Sequence, residues 1–416
     1  MSSKTRESMT GPMHRASMEA IRSGLSAANV LTDYCAEQLT KQGVDVSPQR
    51  LAELRDKFSK PLENLHSLTL DWDDIDESKV SLNLNPDEVL RFAQDRHEGL
   101  HKFIQKTVDW LARQQYEFVK QNASLLLRDH NYETSGLAAN REWVWGEALD
   151  GLLGFVCSNE AFVSEISARL VKWRRGHERT RQLTLLRLQA RACQVAKEIV
   201  VLLRSGYADG AFARWRTLHE ICITVEFLLK AKSEVSQMYV DHAEVGRLKA
   251  MREAHNADLG KRRPRVTKRD LANQEKMTKS LCTKWGQKFA QENGWAATTL
   301  VKEKPTFKQI EDYAGSGYAR LQYKLASQQV HSHALAFEMR PSTGADYGHI
   351  LLTGPTNHGL EDPAKYTTLS ILHLTVLLAA REDADIDSLV VCKCFSKQSR
   401  EVIQRFYDAA SVLTQL

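Results

Sequence analysis

The segment from residue 207 to residue 229 constrains the fold more than any other part of the chain. Its sequence, YADGAFARWRTLHEICITVEFLL, has the spacing of a helix that is apolar on nearly every side, yet it includes Arg214, Arg216, His219 and Glu220. A helix without a polar face is normally buried. Charges persist in an interior only when they are paired or used. The segment therefore predicts a buried helix that carries a polar site.

The charged residues of this helix fall on two opposite sides. At about 100° per residue, Arg214 lies on the side of Leu218, whereas Arg216 and Glu220 flank Ile223 on the other side. Arg216 and Glu220 are one helical turn apart and are expected to form an ion pair. The sequence thus predicts a local pair inside the core.

Composition limits the class of protein. The 416 residues include 42% hydrophobic and 26% charged residues, and the formal net charge is +5. A chain of this kind can bury a sizeable core, and its charge is too mild to indicate a nucleic-acid-binding protein by itself. Seven cysteines without a CxxC pair argue against a disulfide framework and a cysteine-rich zinc site. No signal-peptide pattern and no apolar run of about 18 residues is found, so a cytoplasmic location without membrane contact is expected.

Cofactor motifs are missing as well. The sequence contains no Walker loop, no GxGxxG after a strand, no GxSxG elbow and no set of kinase motifs. We therefore expect no cofactor, and in particular neither ATP nor a nicotinamide nucleotide.

The spacing of apolar residues predicts an all-α, multi-helix bundle, with at most a short β-hairpin or irregular loop near 335–352. Helices are expected over 16–43, 48–70, 86–121, 143–155, 161–173, 177–204 and 207–229, with a loop around 131–140. Gly206 suits the cap that ends the helix before residue 207. The expected regions are 1–85, an N-terminal helical and linker region; 86–180, a helical region; and 181–416, a helical core domain.

A second segment complements the first. Residues 318–337, YARLQYKLASQQVHSHALAF, place Arg320, Tyr323, Ser327 and His331 on one helical stripe, which could supply hydrogen-bond partners for the pair on the first helix. The runs GYADGAFARWRTLHE and YKLASQQVHSHA resemble a bacterial family known as domain of unknown function 5677, over roughly residues 180–380.

The resemblance implies a shared architecture and a polar pocket. The family motif is Arg-x-x-x-Glu on one helix and Ser-x-x-x-His on another, and these positions are Arg216, Glu220, Ser327 and His331 here. The family's name brings no activity with it.

The run Arg214-Trp-Arg-Thr-Leu-His219 is also similar to the motif of HEPN-type helical nucleases, in which Arg precedes His by four to six residues. The resemblance implies a homodimer in which the motifs of two protomers meet. It also implies that the histidine assists proton transfer at the RNA 2′-hydroxyl while the arginine steadies the phosphate. Such cleavage needs no metal, because RNA carries its own nucleophile.

Histidine spacing gives weaker metal candidates. His97-Glu98-Gly-Leu-His101 is an HExxH string, whose histidines could bind zinc from one helix face while Glu98 activates water. Charged neighbours and Gly99 make a solvent-exposed face the better interpretation. His242, His331 and His333 are further metal candidates, although structural hydrogen bonding is the commoner role of such histidines.

A basic cluster near the middle of the chain is a candidate RNA contact. Its cationic residues are Lys261, Arg262, Arg263, Arg265, Lys268 and Arg269, and Pro264 interrupts any helix through them. Loops of this charge bind phosphates well, and the alternative is a solubilising insertion.

Three functions stay open from the sequence. The first is a HEPN-like, metal-independent ribonuclease or toxin, or an antiviral defence effector, acting on RNA through the residues Arg214, Arg216, His219, Glu220, Ser327 and His331. The second is a non-catalytic helical module in which the polar residues lock two core helices and the N-terminal helices bind a partner protein. The third is a zinc-dependent hydrolase that uses the HExxH string.

Overall fold

A computed structural model describes most of the chain. The described residues are 26–59, 72, 82, 85–172, 175–257, 266–315, 317–331, 352–379 and 386–413. Within these ranges there are 13 α-helices and no β-strand, which confirms the all-α prediction. The region proposed for a hairpin, 335–352, lies almost wholly outside the described residues.

The described residues form thirteen α-helices. Their bounds are α1 Ala27–Lys41, α2 Pro48–Ser59, α3 Pro86–Lys172, α4 Gly176–Arg204, α5 Ala208–Lys230, α6 Glu234–Asp241, α7 Ala243–Asn256, α8 Lys268–Trp285, α9 Ala297–Leu300, α10 Phe307–Ala314, α11 Arg320–Val330, α12 Glu361–Ala379 and α13 Ile386–Leu413. Short 3₁₀ turns precede α9 and α11. In the described part of the chain, no helix has the length and apolarity that a membrane span requires.

The chain divides into two compact units, Met1–Asn131 and Tyr132–Leu416. The division falls inside α3, whereas the boundary expected between residues 180 and 181 falls inside α4. In the first unit, Tyr34, Leu39 and Phe58 of α1 and α2 form a small core against Phe92 of α3.

Helix α3 corrects one prediction. A loop was expected around residues 131–140, but α3 runs without interruption for 87 residues through them. The stretch contains Asn131, Gly136 and Asn140, and none of these breaks a helix as proline does. One glycine costs a helix only about 1 kcal/mol, and the neighbouring alanines Ala138 and Ala139 favour the helix.

The turn from α4 to α5 has the predicted glycine cap. Gly206 has a φ of +80°, and its N–H donates to the Leu203 carbonyl at 2.9 Å while the Tyr207 N–H donates to the Leu202 carbonyl at 2.9 Å. These two bonds form a Schellman motif, which satisfies the last carbonyls of α4. A side chain at Gly206 would also lie 2.7 Å from the Thr356 carbonyl oxygen. The position therefore requires glycine on two grounds.

A buried arginine holds this turn against α3 and the loop before α12. Arg141 is buried, and its guanidinium donates to the Arg204 carbonyl at 2.7 Å and to Asn357 Oδ1 at 3.0 Å. Trp145 donates to the Asn357 carbonyl at 3.0 Å. Burial lowers the pKa of Arg141. The turn before α5 is thus fixed by Arg141, which lies 63 positions from Arg204 and 216 positions from Asn357 in the sequence.

Helix α5 lies at the centre of the second unit, in contact with α4, α10, α11 and α12. Its buried side chains include Phe212, Trp215, Leu218, Ile223 and Phe227, which belong to the main core. Trp215 donates from its indole N–H to the Ser370 hydroxyl of α12 at 3.0 Å. Because neighbours cover nearly all sides, the apolar sequence of α5 is accounted for by burial.

Candidate functional site

The charged residues of α5 do point to different neighbours. Arg214 pairs with Glu198 of α4 and donates to the Thr217 hydroxyl at 3.3 Å. His219 lies on the side of α5 that faces α10 and α11. The structure therefore places Arg214 and His219 on different sides of α5, although the nuclease hypothesis drawn from the sequence rests on that pair.

Arg216 and Glu220 form the ion pair that their spacing predicts. Arg216 Nη2 lies 3.0 Å from Glu220 Oε1. Tyr323 of α11 connects the two, because its hydroxyl donates to Glu220 Oε1 at 2.7 Å and accepts from Arg216 Nε at 3.2 Å. The pair is half-buried, with 26% and 36% of the Arg216 and Glu220 side chains exposed. It joins α5 to α11.

A second group beside this pair is buried more deeply. His219 Nε2 lies 3.0 Å from Glu311 Oε1, and the two side chains are only 3% and 1% exposed. The other carboxylate oxygen, Glu311 Oε2, accepts from Arg320 Nη1 at 2.7 Å. A carboxylate only accepts hydrogen bonds, so His219 Nε2 carries the hydrogen in this bond. Together these contacts join α5, α10 and α11.

The two groups share Tyr323. The His219 ring lies 5.3 Å from the Tyr323 ring, and the guanidinium carbons of Arg216 and Arg320 each lie 5.3 Å from the same ring. Phe307, the first residue of α10, stacks on Tyr323 at 5.2 Å. We refer to Arg216, His219, Glu220, Glu311, Arg320 and Tyr323 as the polar lock.

Burial governs protonation in the polar lock. It lowers the pKa of His219, and the hydrogen bond to Glu311 offsets this only in part. The ring is therefore favoured in its neutral form, and the contact with Glu311 is a hydrogen bond rather than an ion pair. Burial also raises the pKa of Tyr323, and the hydrogen bond to Glu220 acts in the same direction.

Local sequence explains how Glu311 reaches His219. Thr306 begins α10 with a capping box, in which its hydroxyl accepts from the Gln309 N–H and Gln309 Oε1 accepts from the Thr306 N–H. The helix ends at Gly315, which has a φ of +87°. These signals fix a helix of eight residues, and its apolar side is buried with Glu311 on it.

The Ser-x-x-x-His half of the motif has a different surrounding. Ser327 donates to the Tyr323 carbonyl at 2.7 Å, which is a bond within its own helix. His331 is exposed at the end of α11, where its N–H donates to the Ser327 carbonyl at 3.2 Å. The stripe on α11 thus contributes Tyr323 and Arg320 to the polar lock, while the described contacts of Ser327 and His331 are local.

The other site predictions fall mainly outside the described residues. The side chains of His97, Glu98 and His101 are not described, nor are His333 and the basic residues 261–265. Lys268 and Arg269 are exposed in the first turn of α8. The imidazole of His242 bonds to the Gln291 carbonyl at 2.8 Å, a structural role. Among the described residues, no group of three His, Cys, Asp or Glu side chains could hold a metal ion.

Glu311 is the residue of the polar lock that the sequence did not single out. It lies 92 positions from His219 and only nine from Arg320. The available signal was the string Ile310-Glu311-Asp312, in which an acid follows an apolar residue within a capped helix. That local pattern does not predict which histidine Glu311 contacts.

A comparison with known protein families finds one similarity, and it covers the residues of the polar lock. Residues 182–346 match the model of a family of unknown function (DUF5677). This segment is similar to that family. The matched range confirms the resemblance and ends at residue 346, not near 380. It includes α5, α10 and α11. No curated protein and no solved structure matches the sequence.

Proposed function

We propose that this chain is a non-catalytic helical protein-interaction module, in which the polar lock fixes α5, α10 and α11 in one arrangement. The observation that carries the proposal is the burial of His219 and its hydrogen bond to Glu311. A general acid or base must come within hydrogen-bond reach of the proton that it transfers. The His219 side chain is 3% exposed, and its Nε2 is engaged by Glu311.

The charges of the lock also suit a structural role. Arg216 is balanced by Glu220 and Arg320 by Glu311, so each cation has a carboxylate within 3.0 Å. Buried charges that are paired and hydrogen-bonded are tolerated, whereas removal of one partner is costly. The lock would thereby reject arrangements of α10 and α11 in which these groups are left unpaired.

The proposal is tested by producing the wild type, His219→Ala and His331→Ala in a bacterial host. We expect intact total RNA and equal growth for all three proteins. After purification, His219→Ala should lose about 1 to 3 kcal/mol of unfolding free energy, because Glu311 loses a buried hydrogen bond. His331→Ala is the control, since His331 is exposed. RNA fragments that require His219 would contradict a non-catalytic role.

A metal-independent ribonuclease, acting as a toxin or in antiviral defence, is the second candidate. The feature that favours it is the convergence of two guanidiniums on Tyr323, with the Arg216 and Arg320 side chains 26% and 29% exposed. Two cations beside one edge of a site suit a scissile phosphate. In this form of the hypothesis Arg216 takes the phosphate-binding role in place of Arg214, which faces α4.

Arginine variants test the second candidate directly. Purified wild type, Arg216→Ala and Arg214→Ala are incubated with RNA in the presence of a chelator. If the chain is a ribonuclease of this kind, the wild type and Arg214→Ala should both cleave RNA, whereas Arg216→Ala should not. Intact RNA with all three proteins would remove the candidate and leave the helical module.

A further inference from the structure

The middle of α3 is unusual for a helix of this length. From residue 108 to residue 140 it has no buried side chain. Its exposed apolar side chains include Val108, Trp110, Tyr116, Val119, Leu125, Leu126 and Leu127. In proteins most of a helix's stability comes from the packing of its apolar face, and large exposed apolar patches mark interaction sites. This stretch therefore presents apolar surface to solvent.

Some of the apolar side chains follow a heptad repeat, whereas Trp110, Tyr116 and Leu127 lie outside it. Leu111, Phe118 and Leu125 are spaced seven residues apart, as the d positions of a coiled coil are. The residues three before them, which take the a positions, are Val108, Gln115 and Asn122. We call this stripe the α3 seam. It consists of the a and d positions between residues 108 and 126 together with the e and g positions beside them.

The charges at the e, f and g positions indicate which partner helix can pair with the seam. The positions beside the seam are uncharged, and they are Ala112, Gln114, Val119, Gln121 and Leu126. The basic residues Arg113 and Lys120 occupy the f positions, on the opposite side of the helix. A second copy of the same helix would thus meet no like charge across the seam. Charges at the e and g positions, which select a different partner chain, are missing here.

Asn122 sets the direction of the pairing. In a parallel coiled coil an a residue faces the same residue of the other helix, and an asparagine there bonds to its counterpart. In an antiparallel pair it would face an apolar d residue and lose that bond. Because Gln115 is polar as well, two of the three a positions contribute little apolar burial, so the dimer is expected to dissociate on dilution.

We propose that the α3 seam pairs with the seam of a second copy of this chain, as a parallel two-stranded coiled coil. The pairing rests on the proposed interaction module and names its partner. Its test measures the mass of the assembly alone, while the lock is tested by unfolding. If the protein is monomeric, the pairing is wrong, but the proposed role of the polar lock is unaffected.

The chain offers a matched pair of substitutions. Leu125 occupies a d position and Leu127 an f position, and both are exposed in the single chain. We would measure the mass of full-length wild type, Leu125→Lys and Leu127→Lys by sedimentation equilibrium over a wide range of concentrations. Wild type and Leu127→Lys should reach twice 47.2 kDa, while Leu125→Lys should raise the dissociation constant by about tenfold or more.

Circular dichroism shows whether each variant is folded, and Leu111→Lys repeats the test one heptad repeat further from Leu125. A wild type of 47.2 kDa at every concentration would overturn the proposal. So would dimers that persist in both d-position variants. For the orientation, Asn122→Cys should form an oxidised dimer that the wild type does not form under the same conditions. A dimer that resists this cross-link would overturn the parallel arrangement.

Discussion

Helix α5 and the α3 seam have similar apolar content and opposite surroundings. Helix α5 is enclosed by four other helices and retains charged residues, each with a partner. The α3 seam has no buried side chain and carries no charge at its a, d, e and g positions. The comparison teaches that apolar content alone does not indicate burial. A charge inside an apolar helix predicts a partner within the fold, and an uncharged apolar stripe leaves room for a partner outside it.

The largest expected effect comes from removing the carboxylate that the buried histidine requires. Glu311→Ala leaves His219 and Arg320 without their acceptor, and should lower the unfolding free energy by about 3 to 5 kcal/mol. The neighbouring Asp312 supplies the control, because it is exposed and pairs with Lys308 on the surface. Asp312→Ala should cost at most about 1 kcal/mol. Chemical denaturation measures both, and equal losses would remove the distinction between core and surface.

The same truncation in the two helices tests the comparison itself. Leu218→Ala in α5 opens a cavity, since Leu218 is fully buried, and should cost about 2 to 5 kcal/mol. Leu127→Ala in α3 should change the unfolding free energy by less than about 0.5 kcal/mol, because Leu127 is exposed and lies off the seam. Thermal melts of both proteins decide the matter. A large loss at Leu127 would mean that this side of α3 is covered.

A smaller effect is expected from the hydroxyl that joins the two groups of the lock. Tyr323→Phe removes the bonds to Arg216 and Glu220 and keeps the ring, so the loss should be about 1 kcal/mol. Tyr116 of α3 is exposed, and Tyr116→Phe should leave stability unchanged. If the two variants melt alike, the hydroxyl contributes nothing to the lock.

The smallest effect is a change in the pH dependence of stability. Burial holds the pKa of His219 below its ordinary value of 6.5. The unfolded chain therefore binds more protons than the native chain between these two pKa values, and stability falls as the pH drops below about 6.5. His219→Gln should reduce this acid loss, and a remainder should persist because burial also lowers the pKa of His242.

Denaturation profiles at several pH values check this expectation. His331→Gln serves as the control, because His331 is exposed at the end of α11, and it should reproduce the wild-type profile. A His219→Gln profile parallel to that of the wild type would show that His219 does not titrate differently in the two states.

Local features were predictable from the sequence. The bounds of α5, the cap at Gly206 and the pair of Arg216 with Glu220 all depend on residues within one or two helical turns. Helical angles also placed Arg214 and Arg216 on opposite sides, so the separation of Arg214 from the lock follows from the same arithmetic.

Distant contacts were beyond such reasoning. The bond between His219 and Glu311 joins residues 92 positions apart, and only the packing of α10 on α5 brings them together. The loop expected around residues 131–140 failed for a different reason. Asn131, Gly136 and Asn140 favour turns, but the helix continues through them because one glycine costs only about 1 kcal/mol.

A double-mutant cycle between His219 and Glu311 tests the central claim most directly. Unfolding free energies are measured for the wild type, His219→Ala, Glu311→Ala and the double variant. The cycle cancels the cavity that each truncation opens and isolates the interaction between the two side chains. The polar lock predicts a coupling of about 1 to 3 kcal/mol. Losses that add to within about 0.5 kcal/mol would contradict it.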